Sequence, residues 1–294
     1  MDSTDFGESI RQVGGYSAAS EYLDPETSNN NDEMDSRIEG GNTRLVNALA
    51  RAIGLSSFYT SHRVTAVVEE KAKITVSAVD TRADEFEAKS AGAVTPREFF
   101  ADACICTVPA RVLLDIDFSP PLRPDKIAAA RKLQYARIMK SVILFDQRFW
   151  LRRKNSRFSC FTDGVSDFIF DSTLLQKDMQ GRGILCSYAI GDKADDLAAC
   201  GDNSLQKSIQ ADLAAIFPDQ RTNPIAIYRY AWQEDRYTQG AYALYRPGQW
   251  FALREPLSKP HGKVHFAGEH IADEQGFMDG AAQSGEDAAS EVLH

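Results

Sequence analysis

Apolar residues recur at intervals of three and four between Asn42 and Gly54, at Leu45, Val46, Leu49, Ala50 and Ile53. That spacing predicts a helix, capped by Asn42 and ended by Gly54, just after the turn Arg37-Ile38-Glu39-Gly40-Gly41. The period then changes. Two β-rich runs, 62–69 and 73–79, are split by the charged pair Glu70-Lys71 and predict a hairpin. Phe99 to Thr107 reads as another buried strand, ended by Val108-Pro109. Phe118-Ser119-Pro120-Pro121-Leu122 breaks the pattern and marks a domain crossing. A helix is expected over about 124–134, and strands over 138–145, 158–162, 167–171, 183–190 and 225–232. A further helix covers 203–216, capped by Asn203 or Asp202. The last thirty residues read as a strand ending at His265–Ala267, a tight turn at Gly268, a short acidic loop, and a helix of about four turns that Gly276 opens. Ala281, Gly285 and Ala289 form a row of small residues spaced by four on that helix. Alternating elements of this kind predict a mixed α/β (α+β) chain.

Residues 1–36 are polar, with a loop-like run at Asn29–Glu33 and with Tyr16 and Tyr22 as anchors for a short helix. This segment cannot hold a core of its own, but 294 residues can bury one large or two medium cores. Lys plus Arg number 33 against 42 Asp plus Glu, a net charge of −9, which argues against a nucleic-acid partner. No run of eighteen apolar residues occurs, so no membrane span is expected, and Met1-Asp2-Ser3-Thr4-Asp5 has neither the basic nor the apolar part of a signal peptide. Five cysteines without CxxC, and scattered histidines, predict no metal site. Cys104, Cys106 and Cys186 sit in strand-like runs as core residues, and an odd count fits a reducing compartment better than a disulfide framework. The compartment itself stays open.

Two places carry candidate chemistry. Lys140 lies among Ile138, Met139, Val142, Ile143 and Leu144, and a lysine in an apolar strand must find a partner, reach solvent or lose its charge. Gly268 allows a close backbone approach, and Glu269 follows it as a carboxylate able to accept hydrogen bonds from a sugar-like hydroxyl. The N-terminus of the last helix offers free N–H groups to an oxygen that becomes negative. An ordinary C-terminal helix packed on a sheet would show much the same pattern.

Taken in order, several segments resemble the flavin-containing amine oxidases, the monoamine, polyamine and L-amino-acid oxidases. They are Glu39-Gly40-Gly41; Cys104-Ile105-Cys106-Thr107-Val108-Pro109; Phe118–Leu122; Lys140 three residues after Arg137; Phe149-Trp150; Trp232, Tyr237 and Gly240; Phe266-Ala267-Gly268-Glu269; and Gly276-Phe277-Met278-Asp279-Gly280. Asp167–Phe170, Ser187–Ala194 and the length of the loop after Glu269 look most like the L-amino-acid oxidases. The resemblance implies the C-terminal two-thirds of an FAD-binding amine-oxidase fold. Residues 1–36 would be an N-terminal segment, 37–117 and 258–294 two parts of a discontinuous FAD-binding domain, and 118–257 a mixed-sheet substrate domain. It implies Lys140 beside the flavin as the catalytic residue, holding a water. Trp232, Tyr242 and Phe277 would wall a substrate cavity, with Gly276 beside them. Val64, Gly268, Glu269, Gly276, Phe277, Met278, Asp279, Gly280 and Ala281 would hold FAD. Ala241 stands where monoamine oxidases bond the flavin through cysteine, so FAD is expected to be non-covalent. Asp171 falls where amino-acid oxidases place a carboxylate-binding tyrosine. It would repel a carboxylate or pair with a cationic substrate group, and is otherwise a loop aspartate.

The family's βαβ unit with GxGxxG, which seats the FAD pyrophosphate, has no counterpart in these residues. An N-terminal chain carrying that motif is the expected partner, facing the row Ala281, Gly285 and Ala289. The expected reaction is oxidation of a small amine or amino acid to an imine, then to a keto acid or aldehyde with ammonia and hydrogen peroxide. The alternatives are a polyamine or monoamine oxidase, or a non-catalytic subunit or relic. Homo-oligomerisation is left open.

Overall fold

The computed structural model describes residues 2–3, 7–9, 11–15, 38–82, 96–151, 158–174, 176–177, 179–220 and 223–294. The expectations for Tyr16, Tyr22 and Asn29–Glu33 lie outside them. The chain forms two compact units. One holds residues 1–13, 26–47 and 135–241, the other 14–25, 48–134 and 242–294.

Helix α1, Thr43–Ile53, forms where the apolar spacing places it and ends at Gly54, whose φ is 103°. Its apolar stripe is nevertheless exposed: Leu45, Val46, Leu49 and Ile53 all face solvent, as does Leu55 just after it.

In the second unit, β1 (His62–Glu70) and β2 (Lys73–Asp80) form the expected antiparallel hairpin. Its turn is Lys71-Ala72, both with positive φ. The expected single strand from Phe99 to Thr107 is two strands. Residues Arg97–Ala101 (β3) pair with β2, whereas Cys104–Cys106 (β4) pair in parallel with a strand near the C-terminus. The chain changes sheets at Asp102-Ala103, and Phe100 on the first piece is exposed. Asp117–Ser119 (β5) completes the order β3-β2-β1-β5. Helix α2, Pro124–Lys132, starts with proline at its first position, where the missing N–H costs nothing.

In the first unit, five strands run in the order β7-β8-β9-β6-β10: Ser159–Phe161, Phe168–Asp171, Gly183–Ile190, Ile138–Phe145 and Ala226–Ala231. All neighbours are antiparallel. Period-two alternation divides the sheet. Met139, Ile143, Phe145, Ile169, Leu185 and Ala189 face α3 (Gly191–Ala199) and α4 (Asp202–Ile216), which contribute Ala194, Leu197, Leu205, Ile209 and Leu213. Burying each such Leu or Ile stabilises the unit by about 1.5–3 kcal/mol. Helix α3 was not expected from the sequence, because three acidic residues interrupt its short apolar stripe. At the start of α4 the cap is Gly201 rather than Asn203 or Asp202, and no side chain caps it.

Residues 118–134 and 242–257 belong with the second unit rather than with the sheet of the first. Helix α5, Gln249–Ser258, is the reason: it packs on α2, and the buried Lys126 donates from Nζ to Leu257 O at 2.5 Å. After it come β11, Val264–Phe266, which pairs with β4, and α6, Met278–Leu293.

Candidate active site

In the first unit the functional side chains come from the sheet face that the helices leave uncovered. Register places Phe161 opposite Phe168, Phe168 opposite Tyr188, Tyr188 opposite Lys140, and Lys140 opposite Tyr230. The result is a row of aromatic rings across five strands with one ammonium in it. The Lys140 Nζ stands 5.2 Å from the Tyr188 ring centroid and 5.7 Å from that of Trp232. The Tyr230 and Trp232 rings meet edge to face at 4.9 Å. Among the described residues Lys140 has no carboxylate partner, and it is the one cation on this face of the sheet. Its charge is therefore held by ring quadrupoles and solvent, not by an ion pair. Trp232 opens a 3-10 turn, Trp232–Glu234, one residue past the end of β10, so the expected strand over 225–232 is shorter by one residue at each end.

Asp171, expected at the substrate, is instead a buried tie. Its side chain is 1% exposed, and it accepts from Arg148 Nη2 at 2.6 Å, Trp150 Nε1 at 2.9 Å and Thr173 N at 2.8 Å. Burial alone would raise its pKa, but these donors hold it below the usual carboxylate range. It sits on the helix-packed face, opposite to that of Lys140, because the two fall on different phases of the strand alternation.

In the second unit the turn after β11 is built by Gly268. Its φ is 140°, and a Cβ there would lie 2.7 Å from the His270 ring. Gly268 N donates to Ser284 Oγ of α6 at 2.9 Å. The Glu269 carboxylate accepts from Ala243 N at 3.1 Å and Gly276 N at 2.8 Å, and burial raises its pKa. Glu269 thus ties the far end of the acidic loop, at Gly276, to the backbone at Ala243. Gly276 precedes the helix rather than opening it: Phe277 is the N-cap and α6 starts at Met278. A Cβ on Gly276 would press on the Tyr242 ring at 3.2 Å, and one on Gly280 would lie 2.1 Å from Glu274 O. Phe277 and Met278 are exposed at the helix start. The first-turn N–H groups have no intrahelical acceptor, and Asp279 complements the partial positive charge there.

Beside this turn is a cavity of about 270 Å³ lined by Thr107, Pro109, Ala267–His270, Ala281 and Gly285. It was not foreseen, although two of the quoted motifs line it. Gly285 meets no atom within 4 Å of the place its Cβ would take, so the small-residue row opens onto space at this point. Val64 lies on β1 beside a bulge, where its pairing with Ala78 shifts before Ala66. His270 is buried, with its pKa lowered to about 4 chiefly by burial, and His265 bonds Glu291, so both are structural. The five cysteines are free. Among the described residues there is no cluster able to hold a metal ion, and no helix is long and apolar enough to cross a membrane.

A model of the family described as flavin-containing amine oxidoreductases matches residues 7–293. The chain belongs to that family. It is 29% identical over 261 residues to an L-amino-acid oxidase of Echis ocellatus, covering 87% of this chain and 49% of that one. It is 27% identical over 191 residues to an L-amino acid dehydrogenase of Synechocystis sp., covering 64% and 40%. A putrescine oxidase triple mutant superposes with a TM-score of 0.74 at 22% identity, over 87% of this chain and 53% of that one. Cyclohexylamine oxidase from Brevibacterium oxydans does so with a TM-score of 0.71 at 20% identity, over 86% and 52%. The fold is therefore the α/β amine-oxidase fold, and the chain spans about half the length of the curated relatives it matches. The second unit fits part of a flavin nucleotide: a glycine-lined cavity, the Glu269 staple and the free helix start are the donors and space that such a group needs.

Proposed function

We propose that this chain is part of an FAD-dependent oxidase of amines, with L-amino acids as the leading substrate class. The observation that carries the reading is the solitary ammonium of Lys140 in an aromatic row on an open sheet face. Gly268, Glu269 and the 276–281 stretch would hold FAD without a covalent bond, with Val64 contributing backbone. When bound, the flavin supplies the hydride acceptor for oxidation of the substrate C–N bond. Trp232, Tyr188 and Tyr230 exclude water and favour the neutral form of an amine, the form able to release hydride from its α-carbon. Lys140 holds a water through Nζ and serves imine hydrolysis and reoxidation by oxygen. The products would be keto acid, ammonia and hydrogen peroxide. A further chain segment with the GxGxxG motif would seat the pyrophosphate.

A second reading is an oxidase of amines that lack a carboxylate. It is favoured by the absence of any cation but Lys140 on the described substrate face, which leaves no second cation there to pair with a carboxylate. The test is the visible spectrum of the purified chain with added FAD, followed by peroxide release from amino acids and from putrescine. Flavin bands with turnover of amino acids support the first reading, and turnover of putrescine alone supports the second. A protein that stays colourless means that this chain alone does not hold FAD, and one that stays colourless with a GxGxxG-bearing segment supplied as well overturns both readings and leaves a non-catalytic subunit.

A further inference from the structure

Gln233 directly follows Trp232, and both ends of its amide are engaged. Its Oε1 accepts from Ile138 N at 3.1 Å, and its Nε2 donates to Asp195 Oδ1 at 3.1 Å. Ile138 begins the strand that carries Lys140 two residues later, on the same face. Asp195, on α3, accepts in turn from Arg137 Nη1 at 2.7 Å. Arg137 also binds Glu8 at 2.7 Å and Asp192 at 2.8 Å. Arg137 O accepts from Gly191 N, which opens α3. One amide therefore joins three elements: the turn bearing Trp232, the root of the strand bearing Lys140, and helix α3. The Trp232 carbonyl accepts only from within the turn among the described residues, from Gly240 N at 2.9 Å, Thr238 Oγ1 at 3.0 Å and Asp235 N at 3.2 Å, while the backbone is tied to the Lys140 side at Ala231, which pairs with Met139, and at Ala241 N, which donates to Ala136 O.

We propose that Gln233 is a positioning residue that sets the Trp232 ring against the Lys140 ammonium, held in turn by the Arg137–Asp195 pair. It touches no reacting atom. Its role follows from an amide being able to accept from a backbone N–H at one end and donate to a carboxylate at the other without titrating. The proposal rests on the reading that Lys140 and Trp232 face the substrate, but its test does not depend on that reading.

In Gln233→Glu, a carboxylate meets the Asp195 carboxylate at hydrogen-bond distance. The groups facing it are Asp195 and Arg137, with Glu8 and Asp192 beyond. Two carboxylates so close share a proton, so the bridge re-forms at low pH and breaks when both ionise. Trp150 and Trp250 are buried, so acrylamide quenching of the full chain's tryptophan fluorescence reports Trp232, and Trp232→Phe supplies the subtraction. Near pH 8 the expected result for Gln233→Glu is a higher quenching constant than wild type and, in a flavin-loaded preparation, kcat about tenfold lower with KM unchanged. Near pH 5 quenching should return to the wild-type value. The double variant Gln233→Glu/Asp195→Asn exchanges acid and amide and should match wild type at both pH values. Gln233→Met keeps the length without either bond and should show raised quenching independent of pH. Wild-type quenching in Gln233→Glu and Gln233→Met at both pH values overturns the proposal, as does raised quenching that neither acid nor the Asn partner restores. Inactivity of every variant and of wild type, with the quenching pattern intact, sinks the oxidase reading alone.

Discussion

Lys140 and Tyr188 are register partners on adjacent strands, and the ammonium stands 5.2 Å from the ring centroid. The pairing places a cation in an aromatic row with no counter-ion among the described residues. Its removal should therefore cost the chemistry more than the fold. Lys140→Met is expected to lower turnover by about a hundredfold. Its unfolding free energy should stay within about 0.5 kcal/mol of wild type. Steady-state peroxide assays and urea titrations check the two parts.

The opposite outcome is expected at Asp171. Asp171→Asn replaces a charged acceptor for Arg148, Trp150 and Thr173 N by a neutral amide, and leaves the half-buried Arg148 unbalanced. The cost should be about 3 kcal/mol, at the low end for a buried ion pair broken on one side. The order of substrate preference should not change. A change of preference without loss of stability would restore Asp171 to the substrate site.

Gly268 has room for no side chain. Its φ of 140° and the His270 ring 2.7 Å from a Cβ act together. Gly268→Ala should destabilise the second unit by about 2 kcal/mol or more, beyond the ordinary Gly→Ala effect at positive φ. Chemical denaturation followed through Trp250, which lies in this unit, measures it.

His270 gives the fold a pH dependence. Burial first, and repulsion from Lys126 second, lower its pKa to about 4. The unfolded chain, with a pKa near 6.5, binds a proton over the window in which the native chain does not. Stability should therefore rise between about pH 4 and pH 6.5 and fall as pH drops back through it, by up to about 3 kcal/mol. In His270→Gln this slope should flatten. An unchanged slope would assign the dependence to other groups.

Much of this was legible in the chain. Strands 138–145 and 183–190 announced themselves because a buried sheet demands long apolar runs. The hairpin at 62–80 did so because two β-rich runs flank a short charged turn. The motifs at 104–109 and 266–269 marked the second unit's cavity wall. What escaped has physical reasons. Register cannot be read from single strands, so the alignment of Phe168, Tyr188, Lys140 and Tyr230 was invisible even though each was in view. Asp171 was misplaced because strand phase, not residue type, decides which face a side chain takes. Gln233 gave no signal, since its two bonds reach residues 38 and 95 positions away.

Helix α1 carries its apolar stripe outward, and Leu55 and Phe58, which follow it in the chain, are exposed as well. Such a surface makes handling of the purified chain a colloidal problem. It should take up a hydrophobic dye while fully folded, and its scattering should climb with concentration and with added sulfate. Replacing Val46 and Leu49 with glutamate should quiet both signals. A preparation judged by clarity alone would then reward loss of this stripe, whatever the stripe is there to meet.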